Sequence, residues 1–179
     1  MALKLPRTIR LDPSDTFVFS RAAEPGEWAV TGTFLFFGRH VAALTGKPLQ
    51  AFRAGFLGVD SFGWSTLVVV TEATAEEHAA AVERLADQLV ARCGAPDRAT
   101  ALAAAEEEIA FAASLCDHPP NTLLGMHRSA DGDGIREAFR TLHRRAETLP
   151  GPFRFVEVED EEEDQDGIDL AALAEGRRL

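Results

Sequence analysis

The strongest constraint on this chain is the segment from Thr74 to Asp117, which reads as two consecutive helices with little room between them. Thr74-Ala75-Glu76-Glu77 is a capping box, with Thr74 as N-cap and Glu77 three residues on. Val82, Leu85, Ala86, Leu89, Val90 and Cys93 then form one apolar stripe at helical spacing. Gly94 and Pro96 stop that helix in the expected order. A second helix is expected from about Arg98 to Asp117, with Leu102, Ile109, Ala113 and Cys116 along one side and Phe111 and Leu115 along another. So short a connection makes the two helices an antiparallel hairpin.

Strand signals surround this pair. Arg7 to Leu11 alternates after Pro6, and Phe17-Val18-Phe19 is a second short β signal. Trp28 to Phe37 is the best strand by its period of two, and Ser65 to Thr71 is a β-branched run expected to be buried. Residues 46–57 suit a short helix with Pro48 in its first turn. Thr122 to Arg128 suits another strand, and Asp131-Gly132-Asp133-Gly134 a turn. Ile135, Ala138, Phe139 and Leu142 fit a fourth helix, and Phe153 to Val158 a last strand. The expected fold is α+β: an antiparallel sheet with the helix hairpin and further helices packed on one face.

Charge divides the chain. Of the net −11, residues 157–179 contribute 10 acids against 2 bases, and the body is nearly neutral. The expectation is one domain over 1–156 and an acidic, disordered tail over 157–179 with a short terminal helix from Ile168 to Ala174. A near-neutral body argues against nucleic-acid binding and against an anionic membrane surface. The N-terminus has no apolar core of a signal peptide, and no run reaches the roughly 20 apolar residues of a membrane span. With two cysteines, Cys93 and Cys116, a reducing cytoplasm and free thiols are expected.

Four places could carry chemistry. Cys116-Asp117-His118, with His127 on the next strand, offers a thiolate and two imidazoles suited to zinc or to a Cys/His pair. The plainer reading makes Cys116 a buried apolar position and His118 a helix C-terminal residue. The loop Gly55 to Trp64, with Asp60 and Trp64, has the glycines and aromatics of a ligand pocket but matches no phosphate loop. Its plainer reading is a tight connection packed on the core. Glu106-Glu107-Glu108 lies mid-helix, and Glu106 falls on the apolar stripe, where a half-buried carboxyl would have a raised pKa. More often such a run is a solvated face. Arg136, Arg140 and Arg144 fall four apart and form a basic stripe suited to an anion or to the acidic tail, or an ordinary solvated face.

None of these is a catalytic fingerprint, and no cofactor is expected. The leading expectation is a non-enzymatic interaction or accessory protein whose tail meets a protein partner, with a homodimer also compatible. The alternatives are a small-molecule-binding domain or small enzyme using Asp60, Trp64, Cys116 and His118, and a metal site using Cys116, His118 and His127. The stretches LPRTIRLDPSDTFVF, EPGEWAVTG, AFRAGFLGVDSFGWSTLV and FAASLCDHPP resemble a small family of uncharacterised bacterial proteins, a domain of unknown function. That resemblance covers most of residues 1–150. It implies a bacterial cytoplasmic origin and brings no activity to transfer.

Overall fold

A computed structural model describes residues 2–132, 134–144 and 156–159. The fold is α+β, with helices set against antiparallel sheets. Its strands are β1 (Leu3–Ile9), β2 (Ala29–Val30), β3 (Phe56–Gly58), β4 (Trp64–Ser65), β5 (Leu67–Ala73), β6 (Leu123–Asp131), β7 (Gly134–Arg144) and β8 (Val156–Glu159). Its helices are α1 (Ser14–Val18), α2 (Gly46–Ala54), α3 (Ala75–Cys93) and α4 (Arg98–Ser114). The main sheet has the order β1-β5-β6-β7-β8, and a smaller one has the order β2-β3-β4. An isolated antiparallel bridge between Arg7 and Trp28 joins them.

The two long helices form as their sequence dictates. Thr74 accepts from the Glu77 N–H, and the Glu77 carboxylate accepts from the Thr74 N–H. Gly94 ends α3 in the left-handed region, and Asp97 caps α4 by accepting from the Thr100 N–H. Ala81, Val82, Leu85, Ala86 and Leu89 of α3 meet Ala101, Ala105, Ile109 and Ala112 of α4, and Leu5, Val30 and Leu57 complete that cluster. Its small alanines let the two helices approach closely. A second cluster, Val68, Val70, Leu124, Met126, Phe56, Ala29 and Cys116, shows the period of two on β5 and β6. A third is aromatic, with Phe36 edge-on to Phe52 at 5.1 Å and Phe19 beside them.

Three expected elements take another form. Phe17–Phe19 is no strand: the one-turn helix α1 stands there, held by buried Asp15, which accepts from the Thr66 hydroxyl at 2.6 Å. The long strand expected over Trp28–Phe37 stops after Val30, because Gly32 takes φ +75° and residues 33–36 wind into a 3-10 turn. A Cβ on Gly32 would lie 2.7 Å from Leu57 Cβ and 2.9 Å from the Trp64 ring, so the break is also a close approach. The expected fourth helix is strand β7. Nine paired positions between β6 and β7 outweigh the helix-forming residues of that stretch. β8 pairs with β7, so regular structure continues through Glu159, beyond the expected boundary at 156. Phe153–Phe155, the expected terminal helix and the rest of the tail lie outside the described residues.

Replacing Thr74 by Ala removes the side-chain half of the capping box and is expected to lower stability by about 1 kcal/mol. Urea unfolding midpoints with an unchanged slope will report it.

Candidate functional site

The chain contains an arginine with no access to solvent. β6 turns Leu124, Met126 and Arg128 to the same side by the strand period, and Arg128 is 0% exposed. A guanidinium has five N–H donors and no acceptor, so burial requires oxygens around it. Its Nε–H donates to Thr33 Oγ1 at 2.7 Å. One terminal nitrogen donates to the carbonyls of Ala51 (3.2 Å) and Phe52 (3.0 Å), and the other to the carbonyl of Thr31. Ala51 and Phe52 belong to the last turn of α2, where a cation is favoured; the Ala51 carbonyl also accepts from the Gly55 N–H at 3.0 Å. The guanidinium also lies 5.5 Å from the Phe36 ring and 5.9 Å from that of Trp64. Burial holds the Arg128 pKa down to about 10, against the opposing pull of Glu137 and Glu108. It therefore stays charged at neutral pH.

Two carboxyl groups flank this cation. Glu137 of β7 lies 3.8 Å from Arg128 Nε and accepts from the Thr33 hydroxyl, which itself accepts from Arg128. Glu108 of α4, half-buried, has its carboxyl pushed up to about 7, first by burial and then by the charges of Glu137 and Glu107, with Arg128 opposing. A carboxyl that titrates near neutrality can give or take a proton at physiological pH. Glu106, the expected half-buried member of the run, is exposed.

The glycine-rich loop also closes on a group of the protein itself. Glu27 is 6% exposed, and its carboxylate accepts from the N–H groups of Glu24 (2.8 Å), Asp60 (3.0 Å) and Ser61 (2.9 Å). A Cβ on Gly58 would overlap the Glu27 carboxylate. The backbone thus offers donors to an anion, as glycine loops can, and the anion is Glu27. Trp64 packs its ring on Phe36 at 5.5 Å, and Asp60 is an exposed partner of Arg84 at 3.3 Å.

The other expected site residues fall in separate places. Cys116 is buried among Val68, Val70 and Leu124, and burial pushes its thiol up to about 12, far from a nucleophile's range. Asp117 is exposed, and the His118 carbonyl accepts from Lys4 Nζ at 2.7 Å. His127 stands exposed on β6, opposite Ala138. Among the described residues, no three His, Cys, Asp or Glu side chains gather closely enough to hold a metal, so Cys116, His118 and His127 do not form such a group. Arg136 and Arg140 do share a face, although on a strand: a spacing of four is even, so the basic stripe survives the change from helix. Arg144 has the same parity at the end of β7. Arg136 is ion-paired with Asp131 at 2.8 Å.

Arg128 and Glu27 were not singled out from the sequence. For Arg128 a signal existed: it continues the alternation of Leu124 and Met126 across the expected strand. Glu27 sits in a turn-like Glu-Pro-Gly-Glu stretch that carries no mark of burial.

Together these features define an α+β domain with a buried arginine–carboxylate centre. The chain belongs to a family of unknown function, DUF6505, whose model matches residues 1–161. No curated protein and no solved structure matches it significantly. No helix among the described residues is long and apolar enough to cross a membrane.

Two outcomes are expected of substitutions here. Arg128→Met leaves Glu137 half-buried without its cation and takes a donor from the carbonyls of Thr31, Ala51 and Phe52, and is expected to cost about 3 kcal/mol or more in chemical unfolding. Glu108→Gln removes a group whose folded pKa is raised, so that its contribution is fully present below the unfolded pKa and is lost as pH rises through about 7. The native protein should therefore lose more thermal stability between pH 5 and pH 8 than the Gln variant does, as read from melts across that range.

Proposed function

We propose that this protein is a non-enzymatic interaction module that recognises a protein partner through the apolar surface around α1. Phe17, 71% exposed on a helix that is fixed in place, carries the reading. Asp15 bonds the backbone and hydroxyl of Thr66, so α1 is held while Phe17 points to water. Leu11 and Val18 of the same segment are exposed as well, beside a depression of about 210 Å³ lined by Ile9, Leu11, Asp15 and Leu67. Phe37, at 67%, extends from the end of the 3-10 turn that holds Phe36 in the aromatic cluster. Burying a phenylalanine on a partner is worth roughly 1.5–3 kcal/mol, which makes such side chains natural anchors. The free cysteines fit a reducing, cytoplasmic setting. A second copy of the chain is an alternative partner.

A second reading, a small enzyme or small-molecule binder, is favoured by one observation: the Glu108 carboxyl near neutrality beside Glu137 and Arg128. Catalysis there would use Glu108 as general acid or base.

Phe17→Glu separates the readings. The substituted residue is exposed, so the melt should move little. Quantitative affinity capture from the cells that make the protein should lose a partner retained by the native chain. Equal recovery of all captured proteins would remove the α1 surface from consideration.

A further inference from the structure

The chain carries 29 acids, yet none falls between Glu27 and Asp60. Within that stretch, residues 37–53 wrap the aromatic cluster. Val41, Leu44 and Leu49 pack inward against Phe19, Phe36, Ala51 and Phe52. Phe37, Arg39, His40, Lys47, Gln50 and Arg53 are all exposed. Lys47, Gln50 and Arg53 follow one another three apart on α2, so they share its outward side, opposite Phe52. Backbone bonds fix the turns before α2: the Arg39 N–H donates to the Phe36 carbonyl and the Leu44 N–H to the Val41 carbonyl, each at 3.2 Å.

The cations of this face are uncompensated. Among the described residues, Arg39, Lys47 and Arg53 form no ion pair, whereas Arg84, Arg98 and Arg136 each have a carboxylate partner. Phe37 stands beside them at 67% exposure. α1 packs against α2, which sets exposed Phe17 at the margin of the same face. An aromatic anchor with cations around it is complementary to a segment that carries apolar side chains among carboxylates. Three cations on a chain of net charge −11 are too few for a nucleic-acid backbone or an anionic bilayer, each of which also meets the acidic remainder.

We propose that the residue 37–53 face takes an acidic segment of a protein partner, with Phe37 as the apolar anchor and Arg39, Lys47 and Arg53 paired to carboxylates around it. This rests on the interaction reading given above and adds the chemistry of the partner. The cations select and orient the segment, while Phe37 and Phe17 supply the apolar contact.

Photo-crosslinking tests it. Full-length protein with Phe37→p-benzoylphenylalanine is added to a clarified lysate of the cells that make it and irradiated, and the cross-linked peptides are sequenced by mass spectrometry. The cross-link should fall on a protein segment in which Asp and Glu outnumber Lys and Arg. Its yield should drop about tenfold when Lys47→Glu/Arg53→Glu is added, and less in the milder Lys47→Gln/Arg53→Gln. It should also fall as salt is raised from about 0.05 M to about 0.5 M. Both positions are exposed, so unchanged melts show that the fold is kept. Absence of a cross-link overturns the proposal, as does a cross-link to a basic or neutral segment, to lipid, to nucleic acid or to this chain itself. A cross-link indifferent to the Lys47 and Arg53 substitutions, with the partner still lost in Phe17→Glu, overturns the acidic segment and leaves the α1 surface in place. Recovery unchanged in Phe17→Glu counts instead against the α1 reading itself.

Discussion

A guanidinium sealed inside the protein ties its parts together. Arg128 comes from β6, its carbonyl partners come from α2 and the residue 31 turn, and its hydroxyl partner starts the 3-10 turn at Thr33. Glu137 brings β7 to the same point. No single hydrophobic cluster joins all of these, since the aromatic cluster of Phe36 and Phe52 and the β5–β6 cluster are separate. A desolvated charge is costly unless every donor finds an oxygen, so the arrangement admits few alternatives. The same demand explains why the chain after Gly32 bends away from a strand: the bend delivers the Thr31 carbonyl and the Thr33 hydroxyl to one cation.

The same logic extends to the glycine loop. Backbone N–H groups converge there as they would on a phosphate, but Glu27 fills the place. Cys116, which could have been a nucleophile, is kept protonated by burial. At these two places, the glycine loop and Cys116, residue types that suggested chemistry help to hold the fold. Glu108 differs, because its carboxyl titrates near neutrality at the edge of the Arg128 centre.

Much of the helical part was legible in the sequence because its signals are local. The Thr74–Glu77 box, the Gly94 stop and the stripe from Val82 to Leu89 need no distant partner to be read. The β7 strand was not legible, since Ile135, Ala138, Phe139 and Leu142 fit a helical period and only pairing with β6 decides otherwise. Its alternation is obscured because the inward positions include Glu137 and Thr141, polar residues used by the buried centre. The long strand expected after Trp28 failed for a related reason: Phe34 and Phe36 keep the period of two, while Gly32 between the halves breaks the chain. Of the candidate site, the basic stripe transferred intact because four is a multiple of two. The convergence of Cys116, His118 and His127 could not be judged from spacing, and among the described residues they form no three-ligand group. Arg128 was readable only by trusting parity over charge.

Proton exchange at arginine Nε is the most direct test of this account. In a nitrogen-resolved spectrum of the native protein near neutral pH, one arginine Nε–H, assigned to Arg128 by its loss in Arg128→Lys, should exchange orders of magnitude more slowly than those of exposed arginines. An Arg128 Nε–H that exchanges with water as fast as the others would mean that the cation is solvated, and the centre proposed to organise the fold would not exist.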